Sequence, residues 1–428
     1  MAFCAFFRKR AGGLARIASV SLQVSATSTP GIPVVRLALL YACLFFELGV
    51  NLPFFPIWLK AQSLDSSAIG IVVAVPLLTR ILANPMVGAL ADRSGRISLV
   101  LTACALLVAA GTGLLAVANG LWAILLVVVT IAMAQGPLIA LADAMTLGRL
   151  AEAERSELIY GRVRLWGSFG FAAANLAAGW SLEWFSANFV IVLLLISAIF
   201  TAVAAAGCMA AVPNRPIVVG DKDEAWPVHP LLLVGTIAGA ALVQASHGAF
   251  YGFGTLHWQA TGMSGAAMGG LWALGVLSEV ALFAFLGYRM SGAASAAWLL
   301  VVAAGTATLR WAGMAQDPGS AALIGLQLLH GVTFGATHLG SIFLLSRLAP
   351  GRMQASAQAW LAGGWAGVMA LLTTLSGRLY ESWGEQIYLV MTAVAATGLV
   401  LLLLVAFGLS RMTAGEPPSR RGGSPTMG

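Results

Sequence analysis

Eight ionisable side chains stand inside stretches that are otherwise almost wholly apolar: Glu47, Arg80, Asp143, His247, Glu279, Arg310, His330 and His338. A charge in lipid is costly, so each is a candidate working part that needs a partner or a water-filled cavity. Glu279, Arg310 and His330 fall in three successive apolar stretches of the second half of the chain. Carboxylate, guanidinium and imidazole are together the groups needed to take up and release a proton. Burial favours a neutral carboxyl, whereas a nearby guanidinium favours the ionised form. If folding brings the three together, movement of the arginine changes the carboxylate's hold on its proton, and proton release becomes tied to conformation. The plainer alternative is a static ion pair joining neighbouring helices.

The helical phase of the polar residues points the same way. Gln327, His330, Thr333, Thr337 and Ser341 recur at three- and four-residue steps, with His338 flanking the stripe. Gln244, His247, Tyr251, Thr255 and Trp258 form a second stripe. Glu47, Asn51, Phe54 and Trp58 form another, as do Arg164, Ser168, Phe171 and Asn175. One polar-aromatic face on each of several helices implies a shared, water-accessible cavity. The candidate substrate-binding residues are Glu47, Asn51, Arg80, Arg164, His247, Tyr251, Trp272 and His338. An arginine fork suits a carboxylate because it donates two parallel hydrogen bonds.

The elements that must position these groups follow from composition. Hydrophobic residues make up 59% of the 428-residue chain and charged residues 9%, far below the charge of ordinary soluble domains. Apolar runs long enough to span a bilayer lie near 37–59, 67–90, 97–118, 121–146, 162–184, 187–211, 230–257, 265–288, 294–315, 320–346, 353–379 and 386–409. The expectation is an all-α membrane protein of twelve transmembrane helices, since lipid forces every backbone group to find an internal partner. All but four of the 23 basic residues (Lys60, Arg80, Arg310 and Arg378) fall on one side of that alternation. Basic loops stay cytoplasmic, so both termini are expected inside, and the net charge of +7 reads as topology rather than nucleic-acid binding.

Residues 1–36 read as a cytoplasmic arm, 37–212 as a first six-helix bundle, 213–229 as a polar cytoplasmic linker, 230–410 as a second bundle and 411–428 as a tail. Two bundles suit alternating access, in which halves rock about a site at the bilayer midplane. Pro53, Pro56, Pro76 and Pro85 are expected to interrupt or bend the first two helices, and Gly363-Gly364 the eleventh. The four cysteines have no metal or redox spacing, and no metal ligand set, nucleophile elbow or phosphate loop is present in the sequence. No enzyme and no cofactor is expected. A sensor is disfavoured because the sequence offers no soluble signalling segment.

After the second apolar run the chain reads Gly88-Ala89-Leu90-Ala91-Asp92-Arg93-Ser94-Gly95-Arg96. This resembles the loop 2–3 motif of the major facilitator superfamily, G-x-x-x-D-R-x-G-R. A glycine turn there presents a carboxylate and two guanidiniums that can bridge neighbouring helix ends in one conformation and release them in the other. Gly88, Asp92, Arg93, Gly95, Arg96 and Asp143 are therefore assigned to a conformational gate. His247-Gly248-Ala249-Phe250-Tyr251-Gly252-Phe253, Leu271–Glu279, Arg310-Trp311-Ala312-Gly313-Met314 and Tyr160–Ser168 resemble the phenylpropionate permease family. That family is similar to lactose permease and to nucleoside–proton symporters. The resemblance implies the major facilitator fold in a bacterial inner membrane. It also implies that Glu279, Arg310 and His330 couple protons to uptake of a small organic solute such as 3-phenylpropionate. A sugar or nucleoside symporter and a drug exporter stay open as alternatives. The partners implied are the solute, protons and the bilayer, with the chain acting as a monomer. Two departures stand out: Glu47 is foreign to the phenylpropionate permease pattern, and Thr333 and Phe334 stand near where lactose permease has a second acid.

Overall fold

The computed structural model describes residues 34–150, 156–209, 229–286, 292–350 and 353–414. The arm up to residue 33, most of the 213–229 linker and the end of the tail lie outside these residues, as do several of the basic residues used for orientation. All regular structure among the described residues is helical: α1 Val34–Ala61, α2 Ser66–Ser94, α3 Ile97–Leu115, α4 Leu121–Leu150, α5 Ser156–Ser181, α6 Phe189–Ala206, α7 Pro230–Ala245, α8 Thr255–Ala260, α9 Gly265–Leu286, α10 Ala293–Met314, α11 Ser320–Leu328, α12 Thr337–Leu348, α13 Gln354–Trp383 and α14 Ile387–Ala414. Ten helical runs among them are long and apolar enough to cross a membrane. The last of these, Gln354–Met412, is 59 residues long, and Gly384 breaks it at φ +52°. α5 is not among the ten; Arg162 and Arg164 lie in its first half.

None of the four prolines interrupts its helix. α1 runs unbroken through Pro53 and Pro56, and α2 through Pro76 and Pro85. Interruptions fall instead between α7 and α8, where Phe250–Gly254 forms a π-helical turn, and between α11 and α12, where Gly331–Ala336 forms another. Each turn holds two glycines (Gly252 and Gly254; Gly331 and Gly335), so widening the helix there crowds few side chains. Such turns are frequent at functional sites.

Helices from the two halves of the chain meet along two seams, both at the end of the molecule that carries Lys60. In one seam α2 crosses α13: a Cβ on Gly377 would lie 2.5 Å from the Ser66 carbonyl oxygen, and one on Gly70 2.9 Å from that of Thr373. In the other, α5 crosses α9 where Gly265 faces the Gly179 carbonyl and Gly269 that of Asn175. Small residues permit this backbone-on-backbone approach. A carboxylate finishes each seam. Glu381 accepts from the Ser66 amide (3.3 Å) at the start of α2, and Glu183 from the Ala266 amide (2.9 Å) at the start of α9. Both satisfy orphan amides at helix N-termini.

Towards the Arg93 end the seams part. Ser66, Ala68, Ile69, Gly70, Val72 and Ala74 of α2 are buried, whereas in its second part only Ala83 and Ala91 are, and Ile81, Leu82, Asn84, Pro85 and Met86 are exposed. Gly363 and Gly367 on α13 have no neighbour close to where a side chain would begin. The halves therefore enclose a crevice that is shut at the Lys60 end. Replacing Gly269 with Leu is expected to force α5 and α9 apart. Its stability in detergent should fall by about 1–3 kcal/mol, the usual cost of overpacking. A cysteine introduced on the seam should then react several-fold faster with a maleimide added from the Lys60 face; an unchanged rate would show that the seam is not closed by this contact.

Candidate translocation site

The site in the second half is assembled by the π turn at Gly331. A side chain there would strike the backbone of Ser278 on α9, whose carbonyl oxygen lies 2.5 Å from the position of a Cβ. With glycine, the Gly331 amide donates to Ser278 Oγ at 2.8 Å. His330, the next residue back, then lies against Glu279, the next residue on, with Nε2 2.9 Å from Oε1. From α10, Arg310 Nη1 lies 3.1 Å from His330 Nδ1 and donates to Thr333 Oγ1 at 3.2 Å; its Nη2 donates to Gln327 Oε1 at 3.0 Å.

The donor inventory fixes the proton on His330. A guanidinium can only donate, so Nδ1 accepts and Nε2 carries the hydrogen given to Glu279. His247 has the opposite tautomer. Its Nδ1 donates to the Gln244 carbonyl (3.1 Å) and its Nε2 faces Thr333 Oγ1 (3.3 Å). Arg310 is fully buried, and its guanidinium lies over Phe250 (5.2 Å) and Trp311 (4.5 Å). π faces and neutral acceptors thus hold the cation directly, and its carboxylate stands one imidazole away. Phe250 stacks on Trp272 at 4.5 Å, Tyr251 on the same ring at 5.9 Å, and Trp272 Nε1 donates to Thr255.

In the first half, Asp143 on α4 accepts from Tyr41 on α1 (2.5 Å) and from Tyr160 (3.0 Å) and Arg164 (2.7 and 3.0 Å) on α5. Arg164 also lies over the rings of Tyr41 and Phe45, at 5.6 and 5.1 Å. Both members of the ion pair keep about a third of their surface, Arg164 37% and Asp143 27%, so the pair faces the crevice. Glu47 is buried, and both its oxygens take Gln135 Nε2 at 2.7 Å. Arg80, half-buried, donates from Nε to the Pro76 carbonyl. His338 is exposed and interacts electrostatically with both Glu279 and, from the other half, Arg164. His338 thus lies within electrostatic reach of both clusters.

The residues singled out from sequence are thus divided among several places. Glu279, Arg310 and His330 form one chain of contacts, and His247 packs behind it, fully buried. Asp143, grouped in the sequence with the Asp92–Arg96 turn, sits instead on Arg164. Gly95 caps α2 at φ +63°, and Asp92, Arg93 and Arg96 are exposed. No ion pair joins them among the described residues, as befits helix ends that stand apart. Sequence reasoning passed over Tyr41, Tyr160 and Gln135. Tyr160 stands four residues before Arg164 and Gln135 eight before Asp143, which was the available signal; Tyr41 offered none of this kind.

The family model for the MFS_1 like family matches residues 34–391, through both clusters. The chain belongs to this family. This MFS_1 like chain is a membrane transport protein rather than an enzyme. It is 31% identical over 379 residues to a probable 3-phenylpropionic acid transporter of Escherichia coli (strain K12), covering 85% of this chain and 96% of the relative. It is 30% identical over 391 residues to a maltose permease of Geobacillus stearothermophilus, covering 88% and 95%. Among solved structures, the nucleoside transporter NupG superposes with a TM-score of 0.68 at 18% identity, over 90% of this chain and 99% of that one. A bacterial homologue of the human lysosomal transporter Spinster, in an inward-facing and unoccupied conformation, gives 0.65 at 13%, over 90% and 98%. At these identities the likeness concerns the fold.

The Asp143–Arg164 contact lends itself to a double-mutant cycle. Asp143→Ala, Arg164→Ala and the pair together, compared by thermal unfolding in detergent, should give a coupling of about 0.5–3 kcal/mol. Strict additivity would mean that the two charges are independent.

Proposed function

We propose that this chain takes up a small organic acid together with a proton by alternating access, the acid being an aromatic one such as 3-phenylpropionate. In this reading it crosses a bacterial inner membrane twelve times as a monomer. α13 and α14 count as separate crossings, and α5 counts as one despite its arginines. Both termini face the cytoplasm, so the Lys60 end faces outwards and the crevice opens inwards. The 1–36 arm, the two bundles and the 213–229 linker are the corresponding domains.

The contact chain Glu279–His330–Arg310 carries this reading. With His330 neutral, Glu279 and Arg310 cancel, and the site is electrically neutral. An organic anion alone would leave it at one negative charge, and a proton alone at one positive charge. Either imbalance is costly away from water. Anion and proton together keep it neutral, so the loaded and empty sites are the two that can be enclosed. Stereochemistry supplies the order. While Arg310 donates to His330 Nδ1, that nitrogen has no lone pair free for a proton. A substrate carboxylate that draws the guanidinium away frees Nδ1, and the new imidazolium pairs with Glu279. Phe250 and Tyr251, each stacked on Trp272, form with it an aromatic group that suits an aromatic ring. The named relative that handles 3-phenylpropionic acid supports the substrate class.

A neutral sugar is the second reading, favoured by the partly exposed Asp143–Arg164 pair and by the maltose permease relative. Ligand-dependent thermal shift separates the two: 3-phenylpropionate should raise the melting temperature and maltose should not.

In proteoliposomes, an inward acid-to-alkaline gradient should drive 3-phenylpropionate accumulation at least tenfold above the level without a gradient. Glu279→Gln should abolish accumulation while leaving substrate-for-substrate exchange measurable. Accumulation indifferent to both the gradient and Glu279→Gln would sink the coupling role.

A further inference from the structure

We propose that the second half contains its own proton-entry path from the Lys60 end to His330, separate from the crevice between the halves. This rests on the proton-coupled reading above.

A pocket of about 350 Å³ lies within the second half at that end, lined among others by His257, Trp258, Met314, Asp317, Leu323 and Tyr388. Its mouth carries a titratable pair, His257 Nε2 to Asp317 Oδ1 at 3.1 Å. Asp317 holds a left-handed backbone at φ +47°, sparsely populated for residues other than glycine. Tyr380 packs edge-on to His257 at 6.4 Å, and Tyr388 stacks on Trp311 at 5.8 Å. Of these two phenols Tyr388 lines the pocket from α14, and Tyr380 of α13 meets it through His257.

The floor of the pocket points at the contact chain. Met314 lies four residues after Arg310 on α10, and Leu323 four before Gln327 on α11, each about 6 Å along its helix. Arg310 Nε and Gln327 Nε2 are both buried, and neither has a hydrogen-bond partner among the described residues. Two bare donors side by side, on groups already bonded to each other through Nη2 and Oε1, carry a desolvation cost that a buried water relieves. A water there joins the pocket floor to Arg310. Beyond it come His330 and then Glu279, which keeps 18% of its side-chain surface and opens onto the crevice. The polar groups are thus ordered pocket, Arg310 with Gln327, His330, Glu279.

Arg310 also explains why this path does not leak. A fixed guanidinium repels a hydrated proton, as cations do in proton-excluding pores, and it occupies His330 Nδ1. The path conducts only when Arg310 is drawn aside. Entry of the proton from outside is then conditional on substrate, without the two sharing a doorway.

The test uses the full-length protein in right-side-out proteoliposomes loaded with a pH-indicating dye, with 3-phenylpropionate added outside. Leu323→Trp fills the pocket floor, and Ser320→Trp, at an exposed rim position, covers its mouth if the first variant fails to fold. Each is expected to slow substrate-linked proton entry at least fivefold while leaving substrate-for-substrate exchange at the unaltered rate. Proton entry at the unaltered rate in a folded Ser320→Trp protein overturns the separate path. Equal slowing of exchange overturns it too, because the substrate would then use the same route. If the unaltered protein shows exchange but no substrate-linked pH change, the coupling reading fails, and the path fails with it.

Discussion

Everything in this molecule turns on the cost of holding charge away from water. An apolar chain of this kind can keep an ionised group between its helices only where another group neutralises or solvates it. Each in-span acid has met that requirement differently. Asp143 has a guanidinium and two phenols, Glu279 has an imidazole backed by a guanidinium, and Glu47 has the amides of Gln135 and Asn51. The helices are arranged so that these contacts can form, and the glycine seams and π turns are the means. Gly331 shows the dependence most directly: without its close approach to Ser278, His330 and Glu279 would not meet.

How much of this could be read beforehand depended on how unusual each residue was in its setting. Glu279, Arg310 and His330 were conspicuous because ionisable groups are rare in apolar runs, and their order along the chain already placed them on neighbouring helices. Asp143 was equally conspicuous, but its partners, Arg164 and two phenols, are set by the rotation of α4 against its neighbours, which periodicity alone does not give. Tyr41 and Tyr160 were missed because a tyrosine in a membrane helix usually serves as an amphipathic packing residue. Glu183 and Glu381 were missed for the opposite reason: one follows the end of α5 and the other lies in the last turn of α13, both exposed, where a charge is ordinary. Their role comes only from the helix N-termini that tertiary packing brings to them.

The backbone irregularities were the least legible features. Prolines in α1, α2 and α4 left the helices intact, since a long apolar run gains more from continuing in helix than from stopping at one lost hydrogen bond. The π turns carry no proline and replace one regular hydrogen-bond pattern with another. Their only trace in sequence is a local pair of glycines. Both nonetheless lie beside the second-half cluster, one contributing Phe250 and Tyr251 and the other Thr333.

The seams also set the mechanics. Because the closest backbone contacts between the halves lie near Gly70 and Gly269, each long helix is a lever with its fulcrum at one end. From Gly70 to Ser94, α2 extends roughly 36 Å at 1.5 Å per residue. A tilt of about 15° about the seam would carry its far end about 9 Å, although the contacts at the fulcrum barely change. A few atoms of glycine backbone therefore control an aperture wide enough for a whole solute. The mechanical advantage lies in where the small residues are placed, and no large interface has to be broken to work it.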